Sequence, residues 1–241
     1  MDATLFEIAE APGAHVVPAH PGVVRREGYC FLALGPGVGA VQQIRLTAAG
    51  LEQARAEVRA LAAERQAERV GWWVTEQTTP RDLGPRLGLE LDDTLAALAL
   101  THEPAAPGGY TVREVTTLED YAAAQNIDAT VSGWPLSTPE RLAEMWAGTQ
   151  FLIWIALDGD RPVGMARCAI AGRALTMIGG AVLPEARGRG VYRSLVAARW
   201  RTAVERGIPA LVTTANSQSA PILRSIGFED LGAVEIWVDR L

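Results

Sequence analysis

The stretch Pro184-Glu185-Ala186-Arg187-Gly188-Arg189-Gly190-Val191-Tyr192 decides the reading of this chain. It follows a strand-like run, Ala174 to Leu183, and opens a segment, Val191 to Arg206, in which Val191, Leu195, Ala198 and Thr202 share one helical face and Gly207 is placed to end the helix. A strand that turns directly into a helix offers unpaired N–H groups and the positive end of the helix dipole, both of which favour an anion. Gly188 and Gly190 remove side chains where a phosphate must approach the backbone, and Arg187 and Arg189 add charge-assisted donors. A pyrophosphate fits such a loop. The plainer alternative is a surface turn whose glycines solve geometry and whose arginines are solvated.

Outward from this loop, the paired glycines of Met177-Ile178-Gly179-Gly180-Ala181-Val182-Leu183 predict a bulge or a close backbone approach, and a bulged, partly unpaired strand can take an extended ligand along its edge. Upstream, Phe151 to Leu157 and Pro162 to Ala171 read as strands joined by the turn Asp158-Gly159-Asp160-Arg161, so an antiparallel meander is expected. Before them come a strand from Tyr110 to Val115, a helix from Leu118 to about Asp128, a loop at Ser132-Gly133-Trp134-Pro135 and a helix from Thr138 to Trp146. Downstream lie a strand from Ala210 to Thr214, a short helix through Ile222 to Ile226 ended by Gly227, and a strand near Val234 to Val238. The turn-rich run from His102 to Gly109 marks a boundary near residue 107, giving expected domains 1–107 and 108–241.

The first half repeats the pattern of the second. Displacement by 139 residues lays Gly88 on Gly227 and Trp72-Trp73-Val74-Thr75 on Leu211-Val212-Thr213-Thr214, each strand preceded by a long helix. A duplicated fold is therefore expected, with coincidence of a common helix–strand–helix order as the alternative. The composition is that of an ordinary globular protein, with 49% hydrophobic and 21% charged residues. A net charge of −6 gives no general phosphate-binding surface, so no nucleic acid is expected as partner and any anion site must be local. No run approaches the roughly 18 apolar residues of a membrane span, and the acidic Met1 to Glu10 is not a signal peptide. Cys30 and Cys168 match no metal or redox spacing and read as reduced core thiols of a cytoplasmic protein.

Downstream, Asn216 precedes a helix that ends in Gly227-Phe228, and with the Arg187 to Tyr192 loop the sequence resembles the GNAT superfamily of acyl-CoA-dependent N-acyltransferases over about residues 110 to 238. The resemblance implies an α/β (mixed α+β) fold with a central, mostly antiparallel sheet flanked by helices, here in two tandem GNAT-like halves, the first degenerate. It implies that amides from Arg187, Gly188, Arg189, Gly190, Val191 and Tyr192 hold the pyrophosphate of acetyl-CoA, and that Ala181, Val182 and Leu183 pair with the pantetheine amides as an added strand would. Asn216 matches the position that supports the pantetheine arm or caps the following helix, and capping alone is a sufficient reason for it. Tyr192 stands where the family has Gly or Ala, so its side chain must point away from the phosphates or the loop must differ. Leu223 stands where many members place a proton-donating Tyr, and a leucine donates nothing.

The implied reaction is direct attack of a primary amine of a small molecule or peptide on the acetyl thioester, the oxyanion held by the backbone N–H of Val182. Only about one alkyl amine in a thousand is neutral at pH 7, so a base is useful. The strand Ala174 to Leu183 has no carboxylate, which leaves Asp128, Glu140, Glu144 and Glu235, each with a solvated charge as its plainer reading. Trp134 and Trp146 either wall the acceptor pocket or fill core. No metal is expected, and a homodimer stays open. The alternative function is an acyl-CoA-binding sensor or inactive homologue, which the absent Tyr at Leu223 favours. His15 and His20 lack further ligands and read as loop residues, Gly35 to Gly39 as a turn between strands, and the arginines of a helix from Leu51 to Arg69 as a solvated face.

Overall fold

The protein, described by a computed structural model over residues 4–16, 22–35 and 37–241, forms two compact units that are not contiguous in sequence. His20 and Pro36 lie outside the described residues. The first unit comprises residues 1–99, 214–222 and 229–241, the second 100–213 and 223–228.

In chain order the first hundred residues give helices α1 (Leu5–Glu10) and α2 (Pro12–His15), strands β1 (Val23–Arg26), β2 (Tyr29–Gly35) and β3 (Gly37–Gln42), helix α3 (Leu51–Glu64), β4 (Ala67–Val74), α4 (Leu83–Arg86) and β5 (Glu90–Leu100). The remainder gives β6 (Thr111–Glu114), α5 (Leu118–Ser132), α6 (Pro139–Gly148), β7 (Leu152–Asp158), β8 (Arg161–Ala171), β9 (Ala174–Val182), α7 (Val191–Glu205), β10 (Leu211–Ala215), α8 (Ala220–Arg224) and β11 (Glu229–Arg240).

Within the first unit the strand order is β1-β2-β3-β4-β11-β5, antiparallel except for β3 beside β4. The C-terminal strand thus lies between β4 and β5. Its core gathers Phe31, Val41, Ile44, Val58, Val70, Trp72 and Leu83. The arginine-rich segment departs from expectation. The helix stops at Glu64, Arg69 belongs to β4, and Arg55 and Arg59 converge on the buried carboxylate of Asp239, Arg59 while still exposed to water. The turn expected near Gly35 to Gly39 does join β2 and β3, with Gly37 at φ +74°. His15 ends α2, with its Nε2 2.8 Å from Gln43 Nε2.

Within the second unit the order is β10-β9-β8-β7-β6, the expected meander. Gly159 at φ +60° lets Asp158 pair with Arg161 across a two-residue turn. Val115, Ile127, Ile155, Met165 and Ala181 form the core beneath α5. The other face takes α7: a methyl on Gly164 would sit 2.8 Å from Val191 Cγ1 and 3.2 Å from Leu195 Cδ1, so glycine there lets the helix start close to the sheet. The short helix after Asn216 spans Ala220–Arg224, earlier than expected, because Asn216 caps it. Both cysteines are buried free thiols, and burial pushes that of Cys168 up to about 11.

Candidate functional site

Strand β9 reaches the loop with a bulge where the paired glycines predict one: Arg167 of β8 pairs with Gly179 and Cys168 with Met177, leaving Ile178 without a cross-strand partner. On its other edge β9 pairs in parallel with β10 only at Leu175 and Thr176, so the ladder ends before the bulge. Leu183 donates to Val163 O at 3.0 Å, which makes that pair hydrogen-bonded. By antiparallel alternation the N–H and C=O of Val182 then point away from β8, to the edge that β10 has left. Arg187 Nε donates to Val182 O at 3.1 Å on that edge.

A 3₁₀ turn, Pro184–Ala186, carries the chain from this edge to the helix. Gly188 and Gly190 adopt φ +71° and +89°, the left-handed region that glycine enters without cost. Gly190 is the N-cap of α7 and makes no side-chain cap bond, so the first-turn amides are left for another acceptor. Arg187 and Arg189 are exposed; Arg189 lies over the Tyr110 ring at 5.8 Å and 3.3 Å from Asp158. The expected linker is docked here. A methyl on Gly108 would fall 2.2 Å from Gly190 O, and Tyr110 N–H donates to Ser194 Oγ at 3.1 Å.

Tyr192 points away from the loop amides. Its ring edge would meet a methyl on Gly180 at 3.1 Å, and the Arg199 guanidinium covers its face at 5.6 Å. Arg199 is fully buried, its Nε bonded to Leu195 O and its Nη2 without a partner. A helix pattern alone reads position 199 as one more solvated arginine, so this partnership was not legible in the sequence.

The candidate bases separate. Asp128 on α5 meets Arg167 of β8. Glu140 and Glu144 are exposed on α6, Glu144 bound to Arg141 at 3.0 Å. Glu235 belongs to the first unit, where it accepts from Trp237 Nε1 at 2.9 Å. Asn216 also belongs there, and its Oδ1 accepts from the N–H groups of Gln218 and Ser219 as a cap. Of the tryptophans, Trp134 is 65% exposed and fills no core, while Trp146 is half-buried with its ring 5.2 Å from that of Tyr121. Leu223 is buried, 2% exposed, and its carbonyl accepts from Ile226 and Phe228. Leu223→Met is therefore expected to leave the shape of the pH–rate profile unchanged; loss of a basic limb on this apolar exchange would place the position on a proton path. Among the described residues no cluster of His, Cys, Asp and Glu could hold a metal ion, and no helix is long and apolar enough to cross a membrane.

Comparison with known proteins agrees with this geometry. Residues 118–228 match the model of the acetyltransferase (GNAT) family. Among solved structures, a GCN5-related N-acetyltransferase from Kribbella flavida superposes with a TM-score of 0.72 at 16% identity, over 99% of this chain and 96% of its own. A GCN5-related N-acetyltransferase from Sphaerobacter thermophilus gives 0.66 at 18%, over 88% and 76%. A tandem GNAT protein from the clavulanic acid biosynthesis pathway gives 0.62 at 15%, over 98% and 93%. No curated protein sequence matches. The likenesses in structure show the fold, and residues 118–228 carry the match to the acetyltransferase (GNAT) family.

Proposed function

We propose that the protein transfers the acetyl group of acetyl-CoA to a primary amine by direct attack. The observation that carries this is the conjunction of an uncapped helix start at Gly190 with a strand edge that β10 abandons before the bulge of β9. The amides from Arg187 to Tyr192 take the pyrophosphate, and the open edge over Ala181, Val182 and Leu183 takes the pantetheine arm as a strand would. The neutral amine adds to the thioester carbonyl, the new C–N bond pushes charge onto oxygen, and the Val182 N–H meets it. Collapse breaks the C–S bond; the thiolate leaves, and with a thiol pKa near 8.5 it needs no donor at Leu223. Asp128, on the sheet face beside Gly179, is the candidate base that takes the proton the attacking nitrogen loses as the amide forms. An acyl-CoA sensor without turnover is the second reading, favoured by the buried apolar side chain at Leu223.

The two sequence halves, 1–107 and 108–241, support a duplicated GNAT-like unit. Strand β3 runs through α3 into parallel β4, as β9 runs through α7 into parallel β10. In the first of these turns Thr47 Oγ1 accepts from Gly50 N–H at 3.2 Å, and neither arginine of the second has a counterpart, since Ala48-Ala49-Gly50-Leu51 stands there. A helix dipole alone gives an exposed anion about 0.3–1 kcal/mol, against the roughly 8 kcal/mol of micromolar binding. One acetyl-CoA per chain is expected by calorimetry, in a cytoplasmic protein, with thiol release from acetyl-CoA across a panel of amines. Two equivalents would refute the degeneracy of the first half, and tight binding without thiol release from any amine would favour the sensor.

A further inference from the structure

We propose that Asp128 and Arg167, beside the bare backbone of Gly179, form the acceptor subsite and select an amine that carries a carboxylate on the neighbouring carbon, an α-amino acid in its simplest form. This rests on the acetyl-transfer reading and names the substrate class for the same site. Met165 and Ala181 face α5 in the core, and Arg167, two residues beyond Met165 on β8, shares that face and meets Asp128. The pair therefore stands at the bulge, since Arg167 is the last residue in register before the slip.

Three features of the pair are unexplained by an ordinary ion pair. Arg167 Nε is buried and has no hydrogen-bond partner among the described residues, although only Nη2 is needed to hold Asp128 Oδ2. Among the described residues Asp128 Oδ1 has no partner either. The position a side chain would take on Gly179 lies against the unmet donor, with an ideal Cβ there in ordinary contact, 3.7 Å from both Cγ and Nε of Arg167. Both side chains stay partly open to solvent, 21% for Arg167 and 19% for Asp128. A zwitterion complements this arrangement. Its carboxylate, lying over Gly179, takes the free guanidinium donors, and its ammonium lies at the free carboxylate oxygen of Asp128. A plain amine leaves Arg167 Nε unmet, and a second carboxylate in place of the amine meets Asp128 with like charge.

The test uses the full chain with acetyl-CoA and the proteinogenic L-amino acids, each beside its methyl ester and its decarboxylated amine, followed by thiol release and by calorimetry on the CoA-loaded protein. At least one amino acid should exceed its ester and its amine at least tenfold in kcat/KM. Arg167→Met should bring that ratio to near unity, and Gly179→Ala, whose new methyl makes only ordinary contacts, should raise KM for the amino acid at least tenfold with the fold intact. Acetylation of amines with no preference for a carboxylate, a preference that survives Gly179→Ala, or no amino acid bound or acetylated would overturn the proposal. Failure to bind acetyl-CoA at all would instead sink the acetyl-transfer reading on which it stands.

Discussion

Gly190→Asp is expected to weaken acetyl-CoA binding at least a hundredfold while leaving the chain folded. At φ +89° a non-glycine residue costs about 1–2 kcal/mol, less for Asp than for most. The larger effect is charge. The new carboxylate stands at the N-cap of α7, among the amides proposed to hold the pyrophosphate, and it both occupies a first-turn donor and repels the ligand. Together these amount to about 3 kcal/mol, which is roughly two powers of ten in affinity. Space is not the obstacle. The nearest atom to a Cβ on Gly190 is Gly108 Cα at 3.8 Å, an ordinary contact, whereas a Cβ on Gly108 would fall 2.2 Å from Gly190 O and disturb the loop itself. Gly190→Ala separates the contributions, since it carries the backbone cost without the charge. Titration of all three proteins with acetyl-CoA checks the expectation, and affinity within threefold of the native value in Gly190→Asp would refute the site.

Asp239→Asn is expected to cost about 2 kcal/mol of stability at pH 7, the order that a carboxyl held from 3.8 down to about 2 implies. The carboxylate is 2% exposed and receives two forked guanidinium groups, Arg55 at 2.9 and 3.0 Å and Arg59 at 3.1 and 2.7 Å. Burial by itself pushes this carboxyl up, but the hydrogen bonds from Arg55 and Arg59 and their charges outweigh it and hold the group down at about 2. A pKa lower in the folded than in the unfolded chain means stabilisation that is complete above about pH 4 and is lost as pH falls towards 2. An asparagine amide cannot accept both forks and leaves two cations side by side. Urea unfolding of native and variant protein should therefore show a stability gap at pH 7 that narrows below pH 4. A gap under 1 kcal/mol at pH 7, or one that does not change with pH, would contradict the assignment.

Both expectations join a local feature to a distant one, and legibility in the sequence divided along the same line. The meander β7-β8-β9 was readable because hairpin turns and period-two alternation act over a few residues. So was the bulge at Ile178 beside Gly179-Gly180, and so was the helix that opens at Gly190, since glycine marks positions where the backbone itself needs freedom. Strand β11 read as a strand, yet its place between β4 and β5 was hidden, because alternation says which face of a strand is buried and not which strands flank it. The carboxylate that Arg55 and Arg59 share was hidden on an alternating helix because it lies more than 100 residues away in sequence. Tyr192 read only as a departure from the loop pattern; tertiary packing supplies the bare Gly180 at its ring edge and the buried Arg199 over its face. Asp128 was one carboxylate among four until the fold set it against Arg167, at the point where β9 slips register. The sequence by itself determined the elements and the anion-binding turn, since propensity, capping and turn chemistry are local. Only the tertiary structure decided strand partners and the fate of each charge, since pairing and desolvation depend on what the distant chain brings alongside.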